Sequence, residues 1–315
     1  MKKRILVLLK RSAYDLYVAC HQEPNFTSFL SQERASFLEA HLSKLVVDDN
    51  EAPAHHKLPS DPSSCFTGPC ATRLAVAQSV QVVGNLLDRH KVHEHSVRRC
   101  KDILTQRGLI WDCLLRDELK TQIHNADLIV TVGGDGTLLQ ASHYVDSSIP
   151  ILGLNSDPTW KDEVEVQIEQ FDATRSRGFL CLATAENFGE VLDEILEDKR
   201  HSMELKRISV SSNGSQILPP ALNDVLLAHP NPASVSRCSF RVDKEDGDPV
   251  TPFIHSRSSG LRICTGAGST AAMQSAGGYP MRMLSQDLQY MLSDFGRHMT
   301  TTEYKQERLY NFKRS

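Results

Sequence analysis

A glycine turn between two apolar runs constrains this chain more than any other feature. Residues 127–132 read DLIVTV and stop at Gly133, residues 137–144 have helical spacing, and residues 149–154 read IPILGL. Short β-branched runs suit strands buried on both faces. Strand, glycine turn, helix, strand is a βαβ unit, which requires a parallel sheet. Residues 5–9 and 109–115 read as further strands, so the N-terminal part is α/β.

Around that unit the texture varies. Residues 33–47 have amphipathic helical spacing, and the stretch to residue 70 carries Pro53, Pro59, Pro62 and Pro69 without periodicity. The insertion over about 20–70 is therefore expected to be largely loop or disordered. Residues 71–107 show two helical patterns with a break expected around His93–His95, and residues 185–199 read as an amphipathic helix. After His201 the pattern changes to RISVSS, ALNDVLLAH, SRCSFRVD and SGLRICT, separated by Asn-Gly, Pro-Asn-Pro and Asp-Gly. Alternation with such turns argues for antiparallel strands. The expected division is an α/β nucleotide-binding domain over 1–185, a β-rich dinucleotide-binding domain over 186–290, incomplete in this chain, and an unmatched tail over 291–315.

Charge and cysteine usage exclude several classes. With 35 Lys+Arg against 39 Asp+Glu the formal net charge is −4, which gives no basic footprint for nucleic acid. No apolar run approaches the roughly 18 residues that cross a bilayer. The short apolar start is stopped by Lys10 and Arg11 and reads as a first strand, not a signal segment. The 8 cysteines are scattered without a CxxC pair, so free thiols are expected. His90, His93 and His95 read as a solvated helix end, and no metal-ligating side chains are assigned. The final Lys313-Arg314-Ser315 is not an SKL-type address, so a cytoplasmic location is expected.

The chemistry concentrates in Gly133-Gly134-Asp135-Gly136-Thr137, between the buried strand and its helix. Open α/β sheets bind ligands at the carboxyl ends of their strands. Glycines let backbone N–H groups approach phosphate oxygens, and Thr137 is expected to begin a helix whose N-terminus favours anions. An acid among such amides suits proton transfer from an attacking hydroxyl or a share in holding a divalent cation. A plain helix cap at Asp135 is the alternative.

This GGDGT motif is shared by NAD kinases, by diacylglycerol and sphingosine kinases and, in related form, by phosphofructokinases. Three later segments choose among them: NSDPT at 155–159, Asn223-Asp224 within LNDVLLAH, and the Gly-rich run from Gly268 to Gly278. Over about residues 80–290 the chain resembles the NAD kinase family. It is most like the plant NADH kinase branch, through RSSGLRICTGAGSTAAMQSAGG (257–278) and NDVLLAHPNPASVSR (223–237). That resemblance implies a Rossmann-like parallel-sheet domain followed by a β-rich one, with the site between them. It also implies ATP-dependent phosphorylation of the adenosine-ribose 2′-hydroxyl of NADH or NAD⁺, with Mg²⁺ or another divalent cation.

By the same resemblance Asp135 is the proton acceptor, and Gly133, Gly134, Gly136 and Thr137 line the phosphate side. Asn155, Asn223, Asp224, Thr270, Ala271 and Ser275 stand where the family contacts its dinucleotide. A homo-oligomer, a dimer in the simplest case, is implied, with no nucleic-acid or membrane partner. The alternatives are a catalytically weak truncated isoform acting as a nucleotide-binding or oligomerisation partner, and a GGDGT lipid kinase. A GxGxxA match at Gly266–Ala271 also suits a dehydrogenase, yet no βαβ pattern follows it. Asp224 stands for the commoner Glu, Ser259 for an acid and Ala272 for an aromatic, as in the plant branch, so a preference for NADH is expected.

Overall fold

A computed structural model describes residues 3–21, 69–158, 177–244 and 247–292 of the chain. Its first layer is a five-stranded, wholly parallel sheet in the order β2-β1-β3-β4-β5. The strands are β1 (Arg4–Leu9), β2 (Ile110–Leu115), β3 (Leu128–Gly133), β4 (Ile151–Asn155) and the two-residue β5 (Ala183–Thr184). Burial follows position: central β3 is buried throughout, whereas edge strand β2 alternates exposed and half-buried residues.

Helices cover both faces. On one, Ile5, Val7, Leu128, Val130, Val132, Leu152 and Leu154 pack against Cys100, Ile103 and Leu104 of α2 (Pro69–Gln106). Phe188, Val191 and Leu192 of α4 (Phe188–Leu196) complete that cluster, so α4 belongs to the parallel-sheet layer. On the other face, Leu8 and Ile129 meet Ala141 of α3 (Asp135–Ser142), together with Val145 and Ile149. A short α1 (Ala13–His21) follows β1 and packs on α2.

Two expectations are corrected. The break around His93–His95 is absent, because α2 runs unbroken from Pro69 to Gln106. Histidine costs a helix only a few tenths of a kcal/mol relative to better formers, about 0.7 at most, and His93 turns inward rather than interrupting the helix. Likewise α3 starts at Asp135, not Thr137, with Gly134 as an extended N-cap that makes no side-chain cap bond. The helix expected at 33–47 and the loop from 48 to 68 lie outside the described residues, as does the tail from residue 293.

The second part is antiparallel. β6 (Ile208–Ser212) and β7 (Ser215–Ala221) form a hairpin around Asn213-Gly214, both at positive φ (51° and 79°), the conformation a two-residue turn of this kind demands. β8 (Asp224–Leu227), β11 (Leu261–Cys264) and β12 (Gln289–Leu292) make a three-stranded sheet with β11 central, and β9 (Ser236–Phe240) pairs with β10 (Ile254–Ser258). Their core holds Ile208, Phe240, Leu261, Ile263 and Leu292, with Tyr290 edge-on to Phe240 at 5.5 Å. Arg207, just ahead of β6, donates to the Ser142 carbonyl at the end of α3 (2.6 Å) and so joins the two parts.

Candidate active site

The strand order reverses between β1 and β3, and at such a switch point the carboxyl ends of the strands open a crevice. The GGDGT turn stands there. Gly133 is the last residue of β3 and lies in register with Asn155 at the end of β4. A side chain at 133 has no room, because its Cβ would overlap Thr137 Oγ1 and come 3.1 Å from Lys10 Cβ. Thr137 is only 1% exposed and packs against this glycine, so its side chain shapes the turn from inside. Its N–H is taken by the Gly134 carbonyl (2.9 Å). At Gly136, by contrast, a Cβ would meet nothing within 4 Å, which leaves the first turn of α3 open on that side.

Asp135 does not cap its own helix. Its carboxylate reaches across to the turn before β5, accepting the N–H of Phe179 on Oδ2 (3.0 Å) and that of Leu180 on Oδ1 (2.9 Å). Cys181 Sγ lies 3.8 Å from Oδ1; burial, with Asp135 beside it, pushes this thiol up to about 12. Asn155, 4% exposed, accepts the Asp157 N–H (3.3 Å) and packs against Gly178.

A polar strut lies beneath the turn. Nε2 of buried His93 meets the Lys10 carbonyl at 2.9 Å, while Nδ1 meets Ser156 Oγ at 2.7 Å. Ser156 in turn donates its N–H to the Gly133 carbonyl (3.2 Å). Burial and the neighbouring Lys10 charge hold His93 below the usual imidazole range, which favours the neutral ring. The Lys10 amine at the end of β1 is itself lowered by burial; Asp157 opposes this, and Arg116 and Arg89 add to it. None of Lys10, His93 or Ser156 was singled out as a site residue from the sequence. The spacing of His93, Ser96 and Cys100 along one helical face was the available signal.

Apart from Asn155, which ends β4, the dinucleotide candidates lie in the antiparallel part. The carbonyl of Asn223 accepts the Thr265 N–H (2.9 Å), and a Cβ at Gly268 would overlap the Asn223 backbone. Glycine at 268 is thus what lets the second Gly-rich run lie on the Asn223-Asp224 pair. Thr270 closes the short 3₁₀ turn Ala267–Thr270, and Ala271 leads into the four-residue α5 (Ala272–Ser275), where Ser275 is exposed. Asp224 is ion-paired with Arg262 on the same face of the sheet, both largely buried. Asn223 Oδ1 and Arg262 Nε are buried with no partner among the described residues. The Gly266–Ala271 run follows an antiparallel strand and opens no βαβ unit, so it is not a dehydrogenase fingerprint. Among the described residues no group of three His, Cys, Asp or Glu side chains is arranged to hold a metal ion.

Residues 16–157 match the ATP-NAD kinase N-terminal domain. The probable NADH kinase of Oryza sativa subsp. japonica is 50% identical over 214 residues, covering 68% of this chain and 66% of that protein. The NADH kinase of Arabidopsis thaliana is 50% identical over 220 residues, covering 70% and 69%. The chain therefore spans about two thirds of the length of these plant relatives. Among solved structures, an NAD kinase from Archaeoglobus fulgidus in complex with ATP superposes with a TM-score of 0.48 at 23% identity, over 66% of this chain and 72% of that one. Half the residues are shared with the Arabidopsis kinase over more than two thirds of its length, and the glycine turn stands at the switch point of a parallel sheet: the chain belongs to the NAD kinase family, on the branch of the plant NADH kinases.

Proposed function

We propose that the protein transfers the γ-phosphoryl group of ATP to the 2′-hydroxyl of the adenosine ribose of NADH and NAD⁺, yielding NADP(H) and ADP. The observation that carries this reading is Asp135 in the GGDGT turn, oriented by three donors at the carboxyl end of the central strand. The ribose oxygen bonds to the γ-phosphorus as the bond to the β–γ bridging oxygen breaks. ADP leaves, and the hydroxyl proton passes to the Asp135 carboxylate. Phosphoryl transfer leaves the protein little covalent work, so positioning and charge compensation supply most of the rate. The Thr137 N–H is held by Gly134, so the Asp135 and Gly136 amides of the first turn of α3 serve that task on the phosphate side, with Lys10 packed beside Gly133.

In the antiparallel part, Asn223 Oδ1 is a buried acceptor that a ligand N–H or O–H would satisfy, and Asp224 accepts from ribose hydroxyls. Thr270, Ala271 and Ser275 are small enough to allow close approach. Magnesium is ordinarily held largely by nucleotide phosphates and water, and the ATP phosphates would carry it here, leaving Asp135 for the hydroxyl proton. When bound, the cation neutralises charge on the phosphates. A preference for NADH belongs to the same proposal: Ser259 supplies no charge, and Arg262 compensates Asp224. A homo-oligomer in the cytoplasm completes it, checked by sedimentation and by imaging of a tagged chain.

The deciding experiment measures NADPH formation from NADH, ATP and Mg²⁺ by the purified chain, with NAD⁺ in parallel and Asp135→Asn as control. Turnover is expected from the wild type and loss of at least about 100-fold from the variant. Equal inactivity of both proteins on both dinucleotides overturns the proposal.

A further inference from the structure

Both oxygens of the Asp135 carboxylate are held by residues far away in the chain. The Phe179 and Leu180 amides donate to one oxygen each, and the Cys181 thiol stands within 3.8 Å of Oδ1 and 4.0 Å of the Gly133 carbonyl. The turn that presents these donors is shaped by its neighbours. Gly178 has φ +65°, and a Cβ there would stand 2.5 Å from Asn155 Nδ2. The Cys181 N–H closes the turn onto the Gly178 carbonyl (3.1 Å), and the Leu182 N–H continues onto Gly153 of β4 (3.1 Å). Gly153 is itself required, since a Cβ on it would come 2.9 Å from Cys181 Cα. Two glycines and one buried asparagine therefore place three donors around a single carboxylate.

We propose that the Gly178–Cys181 turn is the positioning element for the proton acceptor, with Asn155 holding the turn rather than contacting the dinucleotide. This rests on the reading of Asp135 as that acceptor. A carboxylate in the first turn of a helix is free to rotate about two bonds unless its oxygens are engaged. The turn engages Oδ1 twice, through the Leu180 amide and the Cys181 thiol, and Oδ2 once, which leaves a lone pair on Oδ2 for the substrate hydroxyl. Because an error of about 1 Å at a reacting atom costs on the order of 100-fold, a fixed carboxylate bears on the chemical step and not on ligand affinity. The thiol serves here as a protonated donor, since burial and Asp135 keep it from ionising. It is not a nucleophile.

The test separates kcat from KM. Gly178→Ala strains the backbone and drives a methyl group into Asn155; kcat should fall by about 10-fold or more while KM for NADH and for ATP stays within about threefold. Cys181→Ala should lower kcat severalfold, and Cys181→Ser, which restores a donor, should return it to within about twofold. A third measurement needs no turnover: Asp135→Ala should speed hydrogen exchange at the Phe179 and Leu180 amides about tenfold, with exchange along Leu128–Val132 unchanged. A Gly178→Ala protein that keeps its melting temperature and its kcat, or that changes only KM, overturns the proposal. So does unaltered exchange at the two amides, which decides the matter if Gly178→Ala does not fold. Failure of the kinase reading shows separately, as absence of turnover in the wild type.

Discussion

Replacing His93 by Leu tests the strut beneath the glycine turn. The ring is 6% exposed and bonds the Lys10 carbonyl (2.9 Å) and the Ser156 hydroxyl (2.7 Å), so it joins the ends of β1 and β4 across Gly133. Leucine fills a similar volume but bonds neither group. Two hydrogen bonds at about 1 kcal/mol each, plus part of the roughly 1–3 kcal/mol for a buried carbonyl left unsatisfied, give a loss of about 3 kcal/mol. For a body of this size that lowers the melting temperature by roughly 6–12 °C in a thermal melt near neutral pH. The same ring predicts a pH dependence whose sign is fixed. Burial lowers its folded-state pKa below the ordinary 6.5, so between those values the unfolded chain binds the extra proton. The His93 contribution is therefore complete above about pH 6.5 and is lost as the pH falls below it. The stability gap between wild type and His93→Gln, which does not titrate, should accordingly narrow between about pH 7.5 and about pH 5. A His93→Leu protein melting within about 2 °C of wild type refutes the reasoning about the strut, and a gap that widens on acidification refutes the reasoning about the proton.

Two further substitutions probe the two halves of the site. Gly133→Ala places a methyl group on Thr137 Oγ1, so the turn must shift; kinase activity should drop about 100-fold while stability falls by only about 1–3 kcal/mol, and retention of half the activity would count against the close-approach argument. Arg262→Met leaves the largely buried Asp224 carboxylate unpaired, at about 2 kcal/mol after allowing for its partial exposure, with a raised KM for the dinucleotide. Adding Asp224→Asn should recover most of the lost stability, which melts of the single and double variants will show.

Features set by local chemistry were legible in the sequence. The buried strand 128–133 announces itself by β-branching, and the glycine turn by the absence of Cβ atoms next to an acid. The Asn213-Gly214 hairpin follows from backbone preference alone. What escaped depends on partners distant in the chain. His93 read as solvated because its partners lie 83 and 63 residues away, and three nearby histidines looked like a polar break, whereas His93 is buried, His90 packs on Tyr14 and bonds Ser12, and only His95 is exposed. The thiol of Cys181 and the amides of Phe179 and Leu180 give no compositional signal, because their role comes from the pairing of β5 with β4. Arg262 sits in an alternating strand where its position reads as an ordinary exposed residue; only the neighbouring strand brings it onto Asp224.

The shortest strand of the parallel sheet has a consequence for how the protein fails. β5 adds only Ala183 and Thr184 to the edge of β4, and the turn that grips Asp135 immediately precedes it. Edge segments with few pairing bonds open at lower free energy than the sheet they border. Heat or denaturant should therefore peel this edge first, freeing the carboxylate while β1, β3 and β4 remain paired. Catalysis and fold would then have separate midpoints, with a range of conditions in which the protein looks native by circular dichroism and is already inactive.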